Sequence, residues 1–336
     1  NSSLIPLRVN RAVHVARLST VLSYGSSSMQ LYPCDKYRLP LPEGHRFPIQ
    51  KYEILRQRLE KDVETGEPFV FIEPHAASDE ELRRVHCPQY LGRVFGGTLT
   101  KAEIQRIGFP WSEDLVERSL RSTGAAVDAG VSALRDGIAA SLAGGTHHAG
   151  TNWGEGFCVF NDIAVATREI QDRGLVRNVL IVDCDVHQGN GTAEIFTNDD
   201  TVYTFSIHGA KNFPLRKYPS SLDVPLADGT SDESYLSELD IALSIAFSNF
   251  QPQLIFYIAG ADPFEGDRLG RLNVSQEGLL QRDMLVLKMA IQHRVPVAIV
   301  CGGGYCNDIA TIAEIHRSTM RQAAALESQF AQALEK

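Results

Sequence analysis

What this chain lacks narrows it first. No apolar run approaches the ~20 residues that a membrane-spanning helix requires, so none of its 336 residues is expected to cross a bilayer. Its six cysteines, at 34, 87, 158, 184, 301 and 306, include no C-x-x-C pair. That spacing supplies neither a thiolate zinc knuckle nor a disulfide framework, and it suits a reducing, intracellular compartment. Lys and Arg number 32 against 41 Asp and Glu, a net charge of −9. The basic excess of a general nucleic-acid binder is missing, so no direct nucleic-acid binding is expected. A basic partner such as a lysine side chain stays compatible with this balance. Acidic residues are themselves absent from one stretch. Residues 1–34 contain no Asp or Glu, yet carry Arg8, Arg11, Arg17 and the serine-rich run 23–28. An Arg- and Ser-rich, acid-poor N-terminus reads equally as a plastid or mitochondrial transit segment and as an unstructured extension. Either way the expectation is an extension at 1–34 and a folded domain at 35–336, with residues 1–30 dispensable. Without an organelle signal, nucleus or cytoplasm follows. Nothing in the sequence fixes an oligomeric state.

What is present is an ordinary globular composition, 43% hydrophobic and 22% charged, in an alternating order of elements. Residues 31–48 hold four prolines and Gly44 and read as loop. Ile49, Tyr52, Leu55 and Leu59 have helical spacing over 49–62. A short strand is expected at 69–72, a short helix at 79–85, and a long helix over 125–143 stopped by Gly144-Gly145. Strands are then expected at 179–183, 202–207, 254–259 and 295–300. Helices alternate with them at 161–173, 192–196, 232–250, 275–293 and 309–336. β-branched, apolar strands alternating with helices indicate a single α/β domain. Its expected core is a doubly wound, mostly parallel sheet with helices on both faces.

The chemistry concentrates at Ile181-Val182-Asp183-Cys184-Asp185-Val186-His187-Gln188-Gly189-Asn190-Gly191. An apolar strand there breaks into Asp183, Asp185 and His187 at alternate positions, so extended backbone sends all three to one side. A lone Asp after a strand is as readily a helix cap. The other strand ends weigh against that simpler reading. Gly260-Ala261-Asp262 follows the strand at 254–259, and Gly302-Gly303-Gly304-Tyr305 follows the one at 295–300. The loop Gly144-Gly145-Thr146-His147-His148-Ala149-Gly150 adds two adjacent histidines. Open α/β sheets place their sites beyond such strand ends.

Asp185, His187 and Asp262 make three N/O ligands, the number a catalytic zinc takes while keeping one position open. Two carboxylates leave such a zinc less acidifying toward water than three imidazoles would, so the site needs help. His148 is a candidate general base. Tyr305 is a candidate donor to a carbonyl oxygen gaining charge. Asp183 is placed to fix the tautomer of His147. Together they form the equipment of metal-assisted amide hydrolysis.

These residues resemble the zinc-dependent histone deacetylase family. The likeness runs through Gly144 to Gly150, Gly156-Phe157-Cys158-Val159-Phe160-Asn161-Asp162, Asp183-x-Asp185-x-His187, Gly260-Ala261-Asp262 and Gly303-Gly304-Tyr305, in family order over about residues 40–320. Glu265-Gly266-Asp267-Arg268-Leu269-Gly270 and Gly229-Thr230-Ser231-Asp232-Glu233 look most like the class IV branch and its bacterial relatives. The resemblance implies an arginase/deacetylase fold and hydrolysis of acyl groups from lysine in histones or other proteins. It implies one catalytic Zn2+ on Asp185, His187 and Asp262, His147 and His148 as the tandem catalytic pair, and Tyr305 as oxyanion donor. Gly156, Phe157 and Phe213 would line the acyl-lysine tunnel. A structural K+ would sit on Asp183 with Asp185, His187, Ser206 and Ile207. Asn190 stands where class I members carry Asp, which implies weaker support for the charged form of His148.

Two-manganese ureohydrolases share the fold implied, but they need further carboxylates beside the first ligands. Gly189 and Phe264 occupy those places, so a single catalytic metal is expected. A hydrolase of acetylpolyamines and a non-catalytic acyl-lysine binding module are the alternatives. The first would use the same site behind a narrower, more acidic entrance, and the second would be expected to have lost a ligand or the tyrosine.

Overall fold

The structure is a computed structural model that describes residues 28–37 and 39–334. Its strands are β1 (Met29–Tyr32), β2 (Phe69–Phe71), β3 (Ile138–Ser141), β4 (Val179–Asp183), β5 (Val202–Gly209), β6 (Leu222–Leu226), β7 (Leu254–Ile258) and β8 (Val297–Val300). The helices are α1 (Gln50–Glu64), α2 (Asp79–Arg83), α3 (Pro88–Phe95), α4 (Lys101–Ile107), α5 (Glu113–Asp136), α6 (Asp162–Asp172), α7 (Asn190–Ile195), α8 (Asp232–Asn249), α9 (Gln276–Gln292), α10 (Ile309–Ala325) and α11 (Glu327–Leu334). All described strands join one parallel sheet in the order β2-β1-β3-β8-β7-β4-β5-β6. This is the α/β, doubly wound arrangement expected.

The central strands read as near-continuous apolar runs because both faces of a parallel sheet are covered. Along β4, Leu180 and Val182 enter one core layer while Val179 and Ile181 enter the other. The first layer is completed by α8, α9 and α10, the second by α5 and α6. The alternation follows from the period-two placement of side chains on a strand. Among the described residues, no helix is long and apolar enough to cross a membrane.

Several expectations need correction. The long helix is α5, which begins at Glu113 and ends at Asp136 rather than running over 125–143. Gly137, at φ 91°, stops it and turns the chain into β3. The Ile-Ala-Ala-Ser sequence of β3 carries helix-favouring alanines, but pairing on both sides overrides that preference. The C-terminal helix is broken at Leu326 into α10 and α11. Strand β6 and helices α3 and α4 lie outside the elements that the sequence pattern predicts.

The boundary at residue 34 also moves. Met29–Tyr32 is neither extension nor loop: β1 lies between β2 and β3, with Met29 and Leu31 fully buried. Only residues 1–27 of the expected extension fall outside the described residues, and the transit reading lies there with them. A chain starting at Ser28 keeps every described strand. One starting at Asp35 loses β1 and leaves β2 without its partner, so it should lose cooperative thermal unfolding. Melting of the two truncated proteins, followed by circular dichroism, checks this.

Candidate active site

The loops after β3, β4, β7 and β8 meet beyond the carboxyl edge of the sheet and deliver the polar residues read from the sequence. Asp185 and His187 follow β4 and Asp262 follows β7. One ligand atom from each lies within 4.8 Å of the others, and all three side chains are buried. His187 Nδ1 stands 2.9 Å from Asp185 Oδ1 and 3.1 Å from Asp262 Oδ2. The remaining carboxylate oxygens are held from behind. Gly303 N–H donates to Asp185 Oδ2 at 2.7 Å, and Val186 N–H donates to Asp262 Oδ1 at 2.9 Å. A Cβ at Gly303 would fall 2.0 Å from Asp262 Oδ2, so only glycine permits this approach.

Two buried carboxylates converging on one ring nitrogen require a cation. Burial disfavours a charged His187, yet Asp185 and Asp262 outweigh it and raise the imidazole to about 10. An oxygen–nitrogen–oxygen set with converging atoms fits a divalent metal such as zinc.

The tandem histidines are pushed in opposite directions by their surroundings. His147 Nδ1 is 2.6 Å from Asp183 Oδ2. Burial opposes its charge, but the Asp183 and Asp185 carboxylates outweigh that and raise it to about 9. His148 is pushed well below its ordinary value by burial and by the neighbouring His147 and His187 rings. It is therefore neutral. His148 Nδ1 lies 2.7 Å from Asn190 Oδ1, while Asn190 Nδ2 donates to Glu155 Oε2 at 3.0 Å. The Glu155 carboxylate can only accept, which fixes the amide with its oxygen toward His148. The proton of His148 must then sit on Nδ1, leaving Nε2 as a free lone pair.

Tyr305 is buried, with its ring 6.1 Å from that of His187. Burial, then the Asp185 and Asp262 carboxylates, hold its phenol well above the ordinary value, so it stays a donor. The anticipated tunnel residues are here too. Phe157 lies 5.9 Å from the Tyr305 ring, and Phe213 lies 5.0 Å from His148. Gly156 sits between them at φ 56°, where a Cβ would come within 2.6 Å of His148 and 3.1 Å of Phe213. Among the residues linked to potassium, Asp183 pairs in register with Ser206, and Ile207 follows it in β5.

Residues 45–322 match the model of the histone deacetylase domain. The chain belongs to the histone deacetylase family. An uncharacterised protein of the cyanobacterium Picosynechococcus is 44% identical over 85% of this chain and 95% of its own length. Histone deacetylase 2 of Arabidopsis thaliana is 32% identical over 72% of this chain and 65% of its own length. Among solved structures, a histone deacetylase homologue from Aquifex aeolicus superposes with a TM-score of 0.77. It covers 92% of this chain and 88% of that one at 22% identity, a likeness of fold.

Sequence reasoning did not find every residue that supports this deacetylase-family site. Asp267 accepts the Tyr305 N–H at 2.6 Å, and Arg268 Nε donates to the Tyr305 carbonyl at 2.6 Å. Both lie in the Glu265 to Gly270 segment, noticed only as a mark of lineage. Lys51 is fully buried. Its Nζ lies 3.4 Å from the carbonyls of Gly302 and Gly304 and 5.5 Å from the Tyr305 ring centre. Its signal was legible, because Lys51 stands four residues before Leu55 and eight before Leu59, within the apolar stripe of α1. Glu155, which orients Asn190, had no signal in the sequence.

Proposed function

We propose that the chain is a zinc-dependent hydrolase of acyl-lysine in proteins or peptides, closest in design to the class IV branch. The observation that carries this reading is the convergence of His148 and Tyr305 on the Asp185, His187 and Asp262 cluster, their rings 5.9 and 6.1 Å from that of His187. Zinc held by those three residues would acidify a water and polarise the acyl carbonyl. The chain's own groups do the rest. His148 Nε2 accepts the proton of the attacking water and passes it to the lysine nitrogen as the amide C–N bond breaks, and Asn190 holds the ring in the tautomer that leaves Nε2 open. The Tyr305 phenol donates to the carbonyl oxygen as it gains charge. His147 is anchored through Nδ1 on Asp183 and packs against the His148 ring. Gly156, Phe157 and Phe213 pack about the substrate's methylene stem. A structural K+ would be held by Asp183, Asp185, His187, Ser206 and Ile207.

Behind Tyr305 and Phe157, a cavity of about 70 Å³ reaches Tyr52, Leu115 and Arg118. A water takes roughly 10–15 Å³ on this scale, so the space as it stands suits a short acyl group. A longer chain must displace the apolar wall. The test is a panel of acetyl-lysine peptide, myristoyl-lysine peptide and acetylpolyamine, each with and without a chelator. Chelator-sensitive loss of the acyl group from a peptide's lysine side chain supports the proposal. Turnover of acetylpolyamine alone would overturn it.

Asp267 and Arg268 act on the chemistry through Tyr305, since they grip its peptide from both sides. Asp267→Ala should lower kcat by roughly tenfold or more, the scale of losing a charge-assisted hydrogen bond. KM and zinc content should change little. A fall in zinc content parallel to the fall in kcat would assign Asp267 to the metal site instead.

A further inference from the structure

Charge at the mouth of the cleft runs against the charge of the chain. Arg46, Arg106, Lys211 and Arg271 line the same cleft as His148, His187 and Tyr305, against one lining carboxylate, Glu155. Glu155 is already engaged by Arg106 at 3.1 Å and by Asn190. Asp228, just outside, is shared between Lys211 at 3.7 Å and Arg271 at 3.4 Å. Arg268 adds a further exposed guanidinium, and its donors go to the carbonyls of Tyr305 and Arg46 rather than to a carboxylate. After this pairing the mouth keeps a surplus of positive charge, although the chain as a whole carries −9.

We infer that this mouth selects acyl-lysine flanked by acidic residues. The inference rests on the acyl-lysine reading above. Acylation removes the charge of the substrate lysine, so the side chain entering the tunnel is neutral and charge selection falls on its neighbours. Aspartate or glutamate beside the acyl-lysine would meet Arg46, Lys211 and Arg271. A lysine- and arginine-rich segment, or a polyamine, would meet like charge. The more acidic entrance expected of a polyamine hydrolase is not what lines this cleft.

The experiment compares two peptides of equal length carrying the same acyl-lysine, one flanked by Asp and Glu and the other by Lys and Arg. N-acetylspermidine is a third arm, and zinc-loaded protein is used throughout. At low ionic strength the acidic peptide should show a kcat/KM roughly tenfold higher, since each exposed charge pair contributes modestly. The difference should lie mainly in KM. It should shrink at about 1 M salt, where the Debye length falls to about 3 Å. The double variant Arg46→Glu, Arg271→Glu should reverse the order of the two peptides. Equal turnover at low salt, a preference for the basic peptide, acetylspermidine turned over as well as the acidic peptide, or an order that survives the double variant would overturn the inference. Hydrolysis of neither peptide would instead overturn the acyl-lysine reading beneath it.

Discussion

Tyr305→Phe should lower kcat by about 10²–10³-fold, or 3–4 kcal/mol of transition-state stabilisation, while zinc content stays at the wild-type level. The substitution removes one hydroxyl and nothing that packs. The ring is held through its faces and edges by Phe47, Phe157 and His187 and by the buried Nζ of Lys51. Its peptide is gripped by Asp267 and Arg268 whatever the ring carries. Phenylalanine should therefore occupy the same place. The lost donor matters most when the acyl oxygen carries charge, so the loss should appear in kcat rather than KM. A variant that kept full kcat, or that lost its zinc, would contradict the role given to the phenol.

Asp262→Ala should instead remove metal and activity together. Its carboxylate supplies one of three converging ligand atoms and also accepts the Val186 N–H. Losing a mere outer partner of a metal ligand typically costs roughly 10–100-fold in affinity, and loss of a ligand should cost more. The substitution also leaves the Val186 donor buried and unpaired, a penalty of about 1–3 kcal/mol. Asp262→Asn separates the two effects, because it keeps an oxygen for Val186 and removes the charge. Metal analysis and melting temperature of both variants check this: zinc should fall in both, and stability chiefly in the alanine variant. Full zinc occupancy in either would remove Asp262 from the ligand set.

The parts of the molecule legible in the sequence share a physical cause. Strands β4 and β7 were placed to within a residue because both their faces are buried, so Val179 to Val182 and Leu254 to Ile258 had to be apolar. The candidate site was legible because carboxylates and imidazoles directly after such runs conflict with the core they follow. Strand β3 was hidden, since its alanines fit helix as well as sheet and only its neighbours decide. Strand β1 was hidden by composition, as an acid-poor segment gives no sign of where burial begins. Asn190 appeared as a weakened partner for His148. Its orientation by Glu155 depends on a contact across 35 positions, which no local pattern encodes.

At the heart of the proposed chemistry, water opens the acyl-lysine amide at the Asp185, His187 and Asp262 centre. The most direct measurement is a single turnover of acyl-lysine peptide by zinc-loaded protein in heavy-oxygen water, with mass spectrometry of both products. The expected products are the peptide with an unmodified lysine side chain and a released carboxylate carrying one solvent oxygen, both abolished when a chelator removes the metal and restored when zinc is returned. An acyl group that stays on lysine in the zinc-loaded protein, or that leaves at an undiminished rate after the metal is stripped, would contradict it.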